Sequence, residues 1–163
     1  AGAAARGPGA PTPGLARGEA ALYYSQGDGS ARARAARAFP FMRKRAGALL
    51  SKHRFVSAPF AATLADGSWL KHAAHANEMA GRLSAGLKGA GVEVPYSTDA
   101  NAVFATLPEE LDARLRERGH EYYMFGHPAW RLGRLMCSWD SAPEEVGEFL
   151  KDVEGAARRH EGT

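Results

Sequence analysis

The sequence predicts an α+β domain in which helices pack on one face of a small sheet. One observation is the helical periodicity of apolar residues over residues 68–89 and again over residues 141–153. The other is a set of short β-prone runs bounded by turn residues, of which residues 102–107 and 132–139 are the clearest. At 163 residues and 45% hydrophobic, the chain is long enough to bury a core that joins these elements.

The composition argues against a nucleic-acid-binding, a disulfide-bonded or a membrane-inserted protein. The formal charge of +3 is spread over both halves, so it lacks the density that favours nucleic acid as a partner. The single cysteine, Cys137, cannot form an internal disulfide, which fits a small core side chain in a reducing compartment. No apolar run approaches the roughly 20 residues that cross a bilayer, and no signal-peptide segment is visible. We therefore expect a cytoplasmic protein with neither a nucleic-acid nor a membrane partner.

Residues 1–18 consist almost entirely of alanine, glycine, proline and arginine. This composition supplies too little apolar surface to offset the entropy of ordering the chain, so the segment is expected to be disordered. A leader, a linker and the edge of a truncated gene product all fit it. Residues 20–24 then form a short apolar and aromatic run that predicts a buried strand.

Residues 30–54 combine alanine with basic side chains. Phe39 and Pro40 interrupt the pattern, so we expect a short helix followed by a second helical or loop segment. The positive charge of this segment has three interpretations: it contacts nucleic-acid phosphates, it contacts the phosphate of a small ligand, or it forms an ordinary solvated helix face. Nucleic acid is the least favoured, because no aromatic interleaving or docking motif accompanies the charge. The basic or potentially basic residues are Arg32, Arg34, Arg37, Arg43, Lys44, Arg45, Lys52, His53 and Arg54.

Residues 66–68 predict the start of a long helix by their capping chemistry, and the two glycines in residues 89–91 end it. The helix contains His72 and His75, but three residues separate them, whereas a zinc pair on one helix face needs the i, i+4 spacing and further ligands. We therefore predict no metal site here. The inward face of the helix repeats at helical spacing and consists of Leu70, Ala73, Ala76, Ala80, Leu83 and Leu87.

The following elements alternate between strand and helix. Residues 92–94 predict a short strand and residues 102–107 a stronger one. Pro108 then opens a helix, because proline is tolerated at the first helical position. Residues 122–125 are aromatic and apolar, and a Gly-His-Pro turn closes this run, so another strand is expected there.

The run over residues 132–139 places an arginine inside an otherwise apolar strand. Alternation puts Arg134 in the middle of one face of this strand. A guanidinium is permanently charged and suits two-pronged binding of a carboxylate, so Arg134 predicts an anionic partner. That anion is either a carboxylate of this chain or a ligand, and spacing alone does not decide between them. Beyond the strand, Ser141 and Glu144 predict a capping box at the start of the last helix.

A series of short motifs runs from residue 43 to residue 140. They are Arg43-Lys44-Arg45-Ala46-Gly47, Leu50-Ser51-Lys52-His53-Arg54-Phe55, Leu64-Ala65-Asp66, Trp69-Leu70, His75-Ala76-Asn77, Asn101-Ala102-Val103-Phe104 and Arg134-Leu135-Met136-Cys137-Ser138-Trp139-Asp140. Together they resemble the C-terminal half of an L-threonine aldolase, in the pyridoxal-phosphate-dependent β-eliminating lyase family with the aspartate-aminotransferase-type fold. The resemblance covers most of residues 19–157, and the motifs are more specific together than any one is alone.

The resemblance implies the small C-terminal domain of the type I fold of pyridoxal-phosphate-dependent transferases, with helices on a small, mostly antiparallel sheet. Residues 67–163 would form this α+β domain. Residues 19–66 would be a remnant of the large cofactor-binding domain with a basic connecting segment. The implied reaction, part of amino-acid metabolism, is the reversible cleavage of L-threonine or L-allo-threonine to glycine and acetaldehyde. The implied partners are a small β-hydroxy amino acid and further copies of the chain in a homo-oligomer.

The resemblance also implies roles for particular residues. In such enzymes an arginine on a late strand of the small domain binds the α-carboxylate of the substrate, and Arg134 matches that position. A basic residue after the arginine-lysine segment approaches the phosphate of pyridoxal 5'-phosphate, commonly across the dimer interface. Arg54 is the best match for this residue, and Lys44 is the second.

The chain departs from the family at the lysine that holds the cofactor covalently. Counting back along the chain places that lysine at Thr12, and a threonine side chain has no amine that could form an imine with the cofactor. Lys52 has the right side chain, but it falls in a later segment and is expected to be an ordinary surface or phosphate-facing lysine. The large domain, with its phosphate-binding glycine loop, has no counterpart in the motifs. We therefore expect the isolated chain to be inactive; the alternative is a non-catalytic interaction module that binds through its basic segment.

Overall fold

The structure is a computed structural model that describes residues 21–23 and 31–157. Within these residues it contains helices, strands and one short 3-10 helix over Pro128–Trp130. The other elements, in chain order, are α1 (Ala31–Arg45), α2 (Arg54–Asp66), α3 (Ser68–Gly89), β1 (Ala102–Thr106), α4 (Glu109–Glu117), β2 (Tyr123–Met124), β3 (Leu132–Met136) and α5 (Pro143–Ala157).

Some sequence-based expectations fall outside the described residues. These are the disorder of residues 1–18, the position of Thr12, and both ends of the strand predicted over residues 20–24. Within that run, residues 21–23 are described, and Leu22 is an isolated β bridge rather than part of a strand.

The chain divides into two compact units, with the boundary between Trp69 and Leu70. In the first unit α1 continues through Pro40, so the predicted interruption is wrong. Proline fixes φ near its helical value, and α1 can therefore pass through it at the loss of one backbone hydrogen bond. Helix α2 likewise contains Pro59, and none of its residues is buried.

In the second unit β3 is the central strand of a three-stranded antiparallel sheet with the order β1–β3–β2. The predicted α+β architecture, with helices on a small antiparallel sheet, is confirmed. One face of the sheet packs against helices α3, α4 and α5. The buried residues that form this core are Met79, Ala80, Leu83, Leu87, Val92, Val103, Ala105, Leu107, Leu115, Leu135, Cys137, Val146 and Val153.

Helix α3 begins where the capping chemistry predicts. The backbone N–H of Ser68 donates to Oδ1 of Asp66 over 2.8 Å, and Gly67 ends α2 in the left-handed conformation at φ 72°. The predicted inward face is confirmed at Ala76, Ala80, Leu83 and Leu87, which are all buried. It is wrong at Leu70, whose side chain is 57% exposed in the first turn of the helix.

Two further predictions need correction. Residues 92–94 form no strand, although the backbone N–H of Thr106 donates to the carbonyl of Glu93 over 2.9 Å. A single hydrogen bond does not make a ladder, so this segment runs beside the sheet without joining it. Strand β3 ends at Met136 rather than at residue 139, because the backbone N–H of Ser138 turns to Oγ of Ser141, 2.9 Å away.

The predicted capping box of α5 is also wrong in its residues. The Ser141 hydroxyl is taken by Ser138, and Oε2 of Glu145 instead accepts from the backbone N–H of Ala142 over 2.9 Å. Helix α5 therefore begins at Pro143, with Glu145 reaching back to the residue before it.

Candidate carboxylate site on the open face of the sheet

Arg134 lies in the middle of the central strand. Its register partners are Phe104 on β1 and Tyr123 on β2. Side chains of directly paired residues stand on the same face of a sheet, so these three form a row across all three strands. The row is on the face opposite the core, because Gly133 and Leu135, its neighbours along β3, are buried.

Gly133 explains why β3 can present Arg134 in this way. A Cβ atom at Gly133 would lie 2.5 Å from Cδ1 and 3.2 Å from Cγ of Leu107. Leu107 is fully buried in the core, so its side chain cannot swing aside. The strand that carries Arg134 therefore approaches the core closely at Gly133, where a residue without a side chain leaves room for Leu107.

The Arg134 side chain is half-buried rather than fully buried. Among residues 31–157, no carboxylate lies within ion-pair distance of its guanidinium. A partner carboxylate within the chain was one of the two alternatives left by the sequence. The described residues supply none, and the charge of Arg134 faces a space that a ligand anion can fill.

That space is a cavity of about 450 Å³ beside β2. Two of the residues that line it, Tyr123 and Met136, stand on the same sheet face as Arg134, and their side chains are 80% and 47% exposed. The other lining residues are Arg116, Glu121 and Tyr122. The charged side chains around the cavity are thus two arginines and one glutamate, beside aromatic and thioether surface, so that the cations outnumber the carboxylate and a small organic anion suits the cavity.

The second arginine of the cavity is already engaged. Nε of Arg116 donates to Oδ1 of Asp112 over 2.9 Å, and its guanidinium lies 4.7 Å from the ring centroid of Tyr122. The Tyr122 hydroxyl donates to the same carboxylate oxygen over 2.7 Å. Burial of Tyr122, followed by its hydrogen bond to Asp112 and the negative charge there, raises the pKa of Tyr122. Arg116 and Tyr122 therefore form part of the wall of the cavity.

An aromatic cluster occupies the β1 side of the same face. The Phe104 ring meets Tyr96 edge-on, with centroids 5.8 Å apart, and Phe125 edge-on at 5.1 Å. Edge-to-face contacts of this kind hold a ring in place. Arg134 consequently has hydrocarbon on its β1 side and the cavity on its β2 side.

Arg131 is the nearest alternative arginine in the chain. Its NH2 group lies 2.6 Å from Oε2 of Glu109, and its backbone is left-handed at φ 50°. Its carbonyl also accepts from the backbone N–H of Leu107 over 2.8 Å. Arg131 therefore already has a carboxylate partner and closes the turn that leads into β3.

The residues proposed to meet the cofactor phosphate lie in the first unit. Lys44 is in the last turn of α1 and Arg54 is the first residue of α2, and both are exposed. The Arg54 guanidinium lies 5.4 Å from the centroid of the Phe55 ring. Lys52, two residues earlier, has a left-handed backbone at φ 55°. No acidic residue occurs between residues 31 and 65, so these cations suit a phosphate group.

The remaining candidates have structural roles. Nε2 of His75 donates to the backbone carbonyl of Ser141 over 2.8 Å, and the His72 ring lies 5.3 Å from that of Trp139. Both histidines thus support the turn that follows β3. Burial raises the pKa of the Cys137 thiol, as expected for a core cysteine.

Neither a metal centre nor a membrane span is visible in the described part of the chain. Among these residues, no group of three or more histidine, cysteine, aspartate or glutamate side chains could hold a metal ion. None of the described helices is both long enough and apolar enough to cross a bilayer.

Sequence reasoning missed Phe104 and Tyr123 as neighbours of Arg134. Residues 102–107 and 122–125 were each predicted to form a strand, so the side chains that share a face within each strand could be inferred. The missing signal was the register between strands, which no spacing along the chain supplies.

Comparison with solved structures identifies the fold. A threonine aldolase from Leishmania major superposes with a TM-score of 0.68, covering 85% of this chain and 39% of that one at 22% sequence identity. The fold class is therefore the small C-terminal domain of the type I fold of pyridoxal-phosphate-dependent enzymes.

Comparison of sequences identifies the family. The chain is 39% identical over 141 residues to a low-specificity L-threonine aldolase of a Pseudomonas species, and 39% identical over 142 residues to one of Pseudomonas aeruginosa. Each match covers 86% of this chain. The chain belongs to the L-threonine aldolase family, and it spans 38% of the length of these curated relatives. A scan against protein-family models gave no match.

Proposed function

We propose that this chain supplies the substrate-carboxylate site of an L-threonine aldolase-like lyase. The relatives are low-specificity L-threonine aldolases, and the corresponding reaction would be the reversible cleavage of L-threonine or L-allo-threonine to glycine and acetaldehyde. The observation that carries the proposal is Arg134, whose guanidinium faces a cavity and has no carboxylate partner among the described residues. The substrate would be a small β-hydroxy amino acid.

Arg134 would act by binding and orienting the substrate. Its fork donates two parallel hydrogen bonds to a carboxylate, which fixes the plane of that group as well as its position. Fixing the carboxylate also fixes the direction of the Cα–Cβ bond that must break, and such orientation is a large part of catalysis. Phe104 and Tyr123 limit the directions open to the guanidinium, because they flank it across the sheet.

Pyridoxal 5'-phosphate would be the cofactor. The described residues fit its phosphate, since Lys44 and Arg54 are exposed cations in a stretch without acidic side chains. When bound, this cofactor supplies the electron-accepting ring that bond cleavage next to an amino group requires. The chain's own contribution would be phosphate binding by Arg54 and Lys44, and carboxylate binding by Arg134.

We further propose that these 163 residues are inactive as an isolated chain. Among the residues that the structure describes, no lysine lines the cavity that Arg134 faces, and the position matched to the cofactor lysine is Thr12. Residues 67–163 would act as the small domain, with residues 19–66 as the remnant of the large one. Activity would therefore need the cofactor-binding part of such an enzyme, in a homo-oligomer located in the cytoplasm.

A chimera tests the role of Arg134. Residues 19–163 are joined to the cofactor-binding part of the Pseudomonas aeruginosa relative, and Arg134→Lys is compared with the parent chimera. Lysine keeps the charge but loses the fork, so we expect a loss of about 2–4 kcal/mol in transition-state stabilisation, or roughly 30-fold to 1000-fold in kcat/KM. Cofactor absorbance and the melting temperature should barely change.

Arg131→Lys is the matched control, because Arg131 already pairs with Glu109. It should leave kcat/KM within about threefold of the parent, since exposed ion pairs contribute little. The proposal is wrong if Arg134→Lys melts much lower while its folded fraction keeps near-normal efficiency. That result would make Arg134 a structural ion-pair partner.

A second candidate function is a non-catalytic interaction module. It is favoured by one observation, the exposure of Phe41 and Phe55 at 77% and 69% beside the cations of α1 and α2. The genomic DNA upstream of the coding region discriminates between the two. An open or frameshifted frame that encodes a glycine loop and the cofactor lysine supports the enzyme, and its absence supports the module.

A further inference from the structure

Two adjacent tyrosines line the Arg134 cavity, and only one of them stands on the Arg134 side of the sheet. Tyr123 is the direct register partner of Arg134, so both side chains stand on the open face. Tyr122, one residue earlier, points the other way by strand alternation and packs against the core.

The two hydroxyl groups differ in their partners. The Tyr122 hydroxyl donates to Oδ1 of Asp112 over 2.7 Å and is therefore already committed. The Tyr123 hydroxyl makes no hydrogen bond to any residue that the structure describes, and its side chain is 80% exposed. A phenol beside a guanidinium offers one more donor to an anion that the guanidinium binds.

The position of that anion follows from the surroundings of Arg134. On the β1 side the ring of Phe104 is held by Tyr96 and Phe125, which leaves hydrocarbon there. On the β2 side lies the cavity, which Arg134 and Tyr123 both line and Phe104 does not. An anion on Arg134 therefore lies on the Tyr123 side.

We propose that Tyr123 is a second carboxylate-binding residue, whose hydroxyl donates a hydrogen bond to the carboxylate held by Arg134. An ionised carboxylate has about four acceptor positions, and a bidentate guanidinium fills two of them, so a further donor can be accommodated. This assignment rests on the proposed function, because it places the α-carboxylate of an amino acid at Arg134. It adds a residue that sets how tightly that group is held.

The test uses the complete 163-residue chain labelled with ¹⁵N-arginine. The Nε–Hε signal of Arg134 is assigned by its loss in Arg134→Lys, and sodium acetate is titrated against sodium chloride at equal ionic strength. We expect acetate, but not chloride, to move the Arg134 signal along a saturating curve. Tyr123→Phe should weaken acetate binding about 3-fold to 10-fold, as expected for the loss of one hydrogen bond at a largely exposed position.

Tyr122→Phe is the matched control, because it removes a neighbouring hydroxyl that is turned to Asp112. It should change the acetate dissociation constant less than about twofold, as expected for a hydroxyl that does not reach the anion. Amide spectra of both variants establish that each is folded. Glycine as the titrant should give the same order of affinities.

The outcomes separate this inference from the function on which it rests. If acetate moves the Arg134 signal equally well in the parent chain and in Tyr123→Phe, the role of Tyr123 is overturned and Arg134 remains a carboxylate site. If Tyr122→Phe weakens binding as much as Tyr123→Phe, the role of Tyr123 is again overturned, because the effect is not specific to its hydroxyl. If neither acetate nor glycine moves the signal, both assignments fall.

Discussion

Gly133 is a residue at which the sheet packs closely against the core. Its neighbour Leu107 is fully buried, and the space where a Cβ atom would stand is already filled by that side chain. Gly147 offers the contrast, since nothing lies within 4 Å of its Cβ position in α5. Substitution by alanine should therefore have opposite effects on stability at these two glycines.

We predict that Gly133→Ala destabilises the protein by about 1–3 kcal/mol, because the core must shift to admit a methyl group. Gly147→Ala should stabilise it by roughly 0.5–1 kcal/mol, because alanine loses less entropy in a helix. Urea unfolding of both variants measures the difference. Equal stabilities for the two variants would mean that Leu107 can move more freely than its burial indicates.

Because of Tyr122, we expect the stability of the folded protein to depend on pH in the alkaline range. Burial and its contact with Asp112 raise the pKa of Tyr122 above the usual tyrosine value of about 10. The folded protein therefore keeps the phenol proton at a pH where the unfolded chain releases it. By linkage, this contribution to stability is complete below pH 10 and is lost as the pH rises beyond that value.

We predict that the parent protein loses about 1 kcal/mol more stability than Tyr122→Phe between pH 9 and pH 11. The full linkage slope is about 1.4 kcal/mol per pH unit, and we expect less because solvent screens the partly buried hydroxyl. Urea unfolding at each pH gives the two curves. Parallel curves would contradict the raised pKa, and Tyr123→Phe serves as the control with an exposed phenol.

At the scale of elements, the start of α5 depends on one glutamate. Oε2 of Glu145 accepts from the backbone N–H of Ala142, which has no partner within the helix. Glu144, its neighbour in the first turn, is exposed and lies where a negative charge interacts favourably with the positive end of the helix dipole.

We predict that Glu145→Ala costs about 0.5–1 kcal/mol more than Glu144→Ala, because only the first variant removes a capping hydrogen bond. Thermal melting monitored by circular dichroism compares the two. A larger loss in Glu144→Ala would restore the capping box that the sequence predicted and would contradict the contact seen here.

In the molecule as a whole, the exposed cations that could meet a cofactor phosphate and the arginine proposed to bind the substrate carboxylate belong to different units. Lys44, Lys52 and Arg54 lie in the first unit, and Arg134 lies in the second. Under the proposed function, the first unit would contribute to cofactor-phosphate binding and the second to substrate-carboxylate binding. The described residues do not include a lysine at the Arg134 cavity, which supports the proposal that the isolated chain is inactive.

We predict that the isolated chain does not attach pyridoxal 5'-phosphate covalently in stoichiometric amount. The chain is incubated with equimolar cofactor, reduced with borohydride and examined by mass spectrometry, with Lys88→Arg and Lys52→Arg as paired controls for surface labelling. Lys52 is exposed and does not line the cavity that Arg134 faces, so we expect it to react as an ordinary surface lysine. A stoichiometric adduct that disappears only in Lys52→Arg would make Lys52 a cofactor-binding lysine.

The sequence by itself determined the α+β class, the long helix α3, the strands β1 and β3, and the family. These depend on local periodicity and on short motifs, which are written along the chain. It placed Arg134 on a strand face and Cys137 in the core for the same reason. It was wrong at Pro40, through which α1 continues, and at residues 92–94, which form no strand. It was also wrong at the capping box, because the Ser141 hydroxyl accepts from the backbone N–H of Ser138.

Only the tertiary structure decided what surrounds Arg134. The register of β3 with β1 and β2 brings Phe104 and Tyr123 beside it, and register is set by packing between strands rather than by spacing within one. The pairing of Arg131 with Glu109, and the lack of a carboxylate within ion-pair distance of Arg134 among the described residues, likewise depend on contacts between segments distant in sequence. A one-dimensional pattern assigns a side chain to a face, whereas its neighbours on that face come from other elements of the fold.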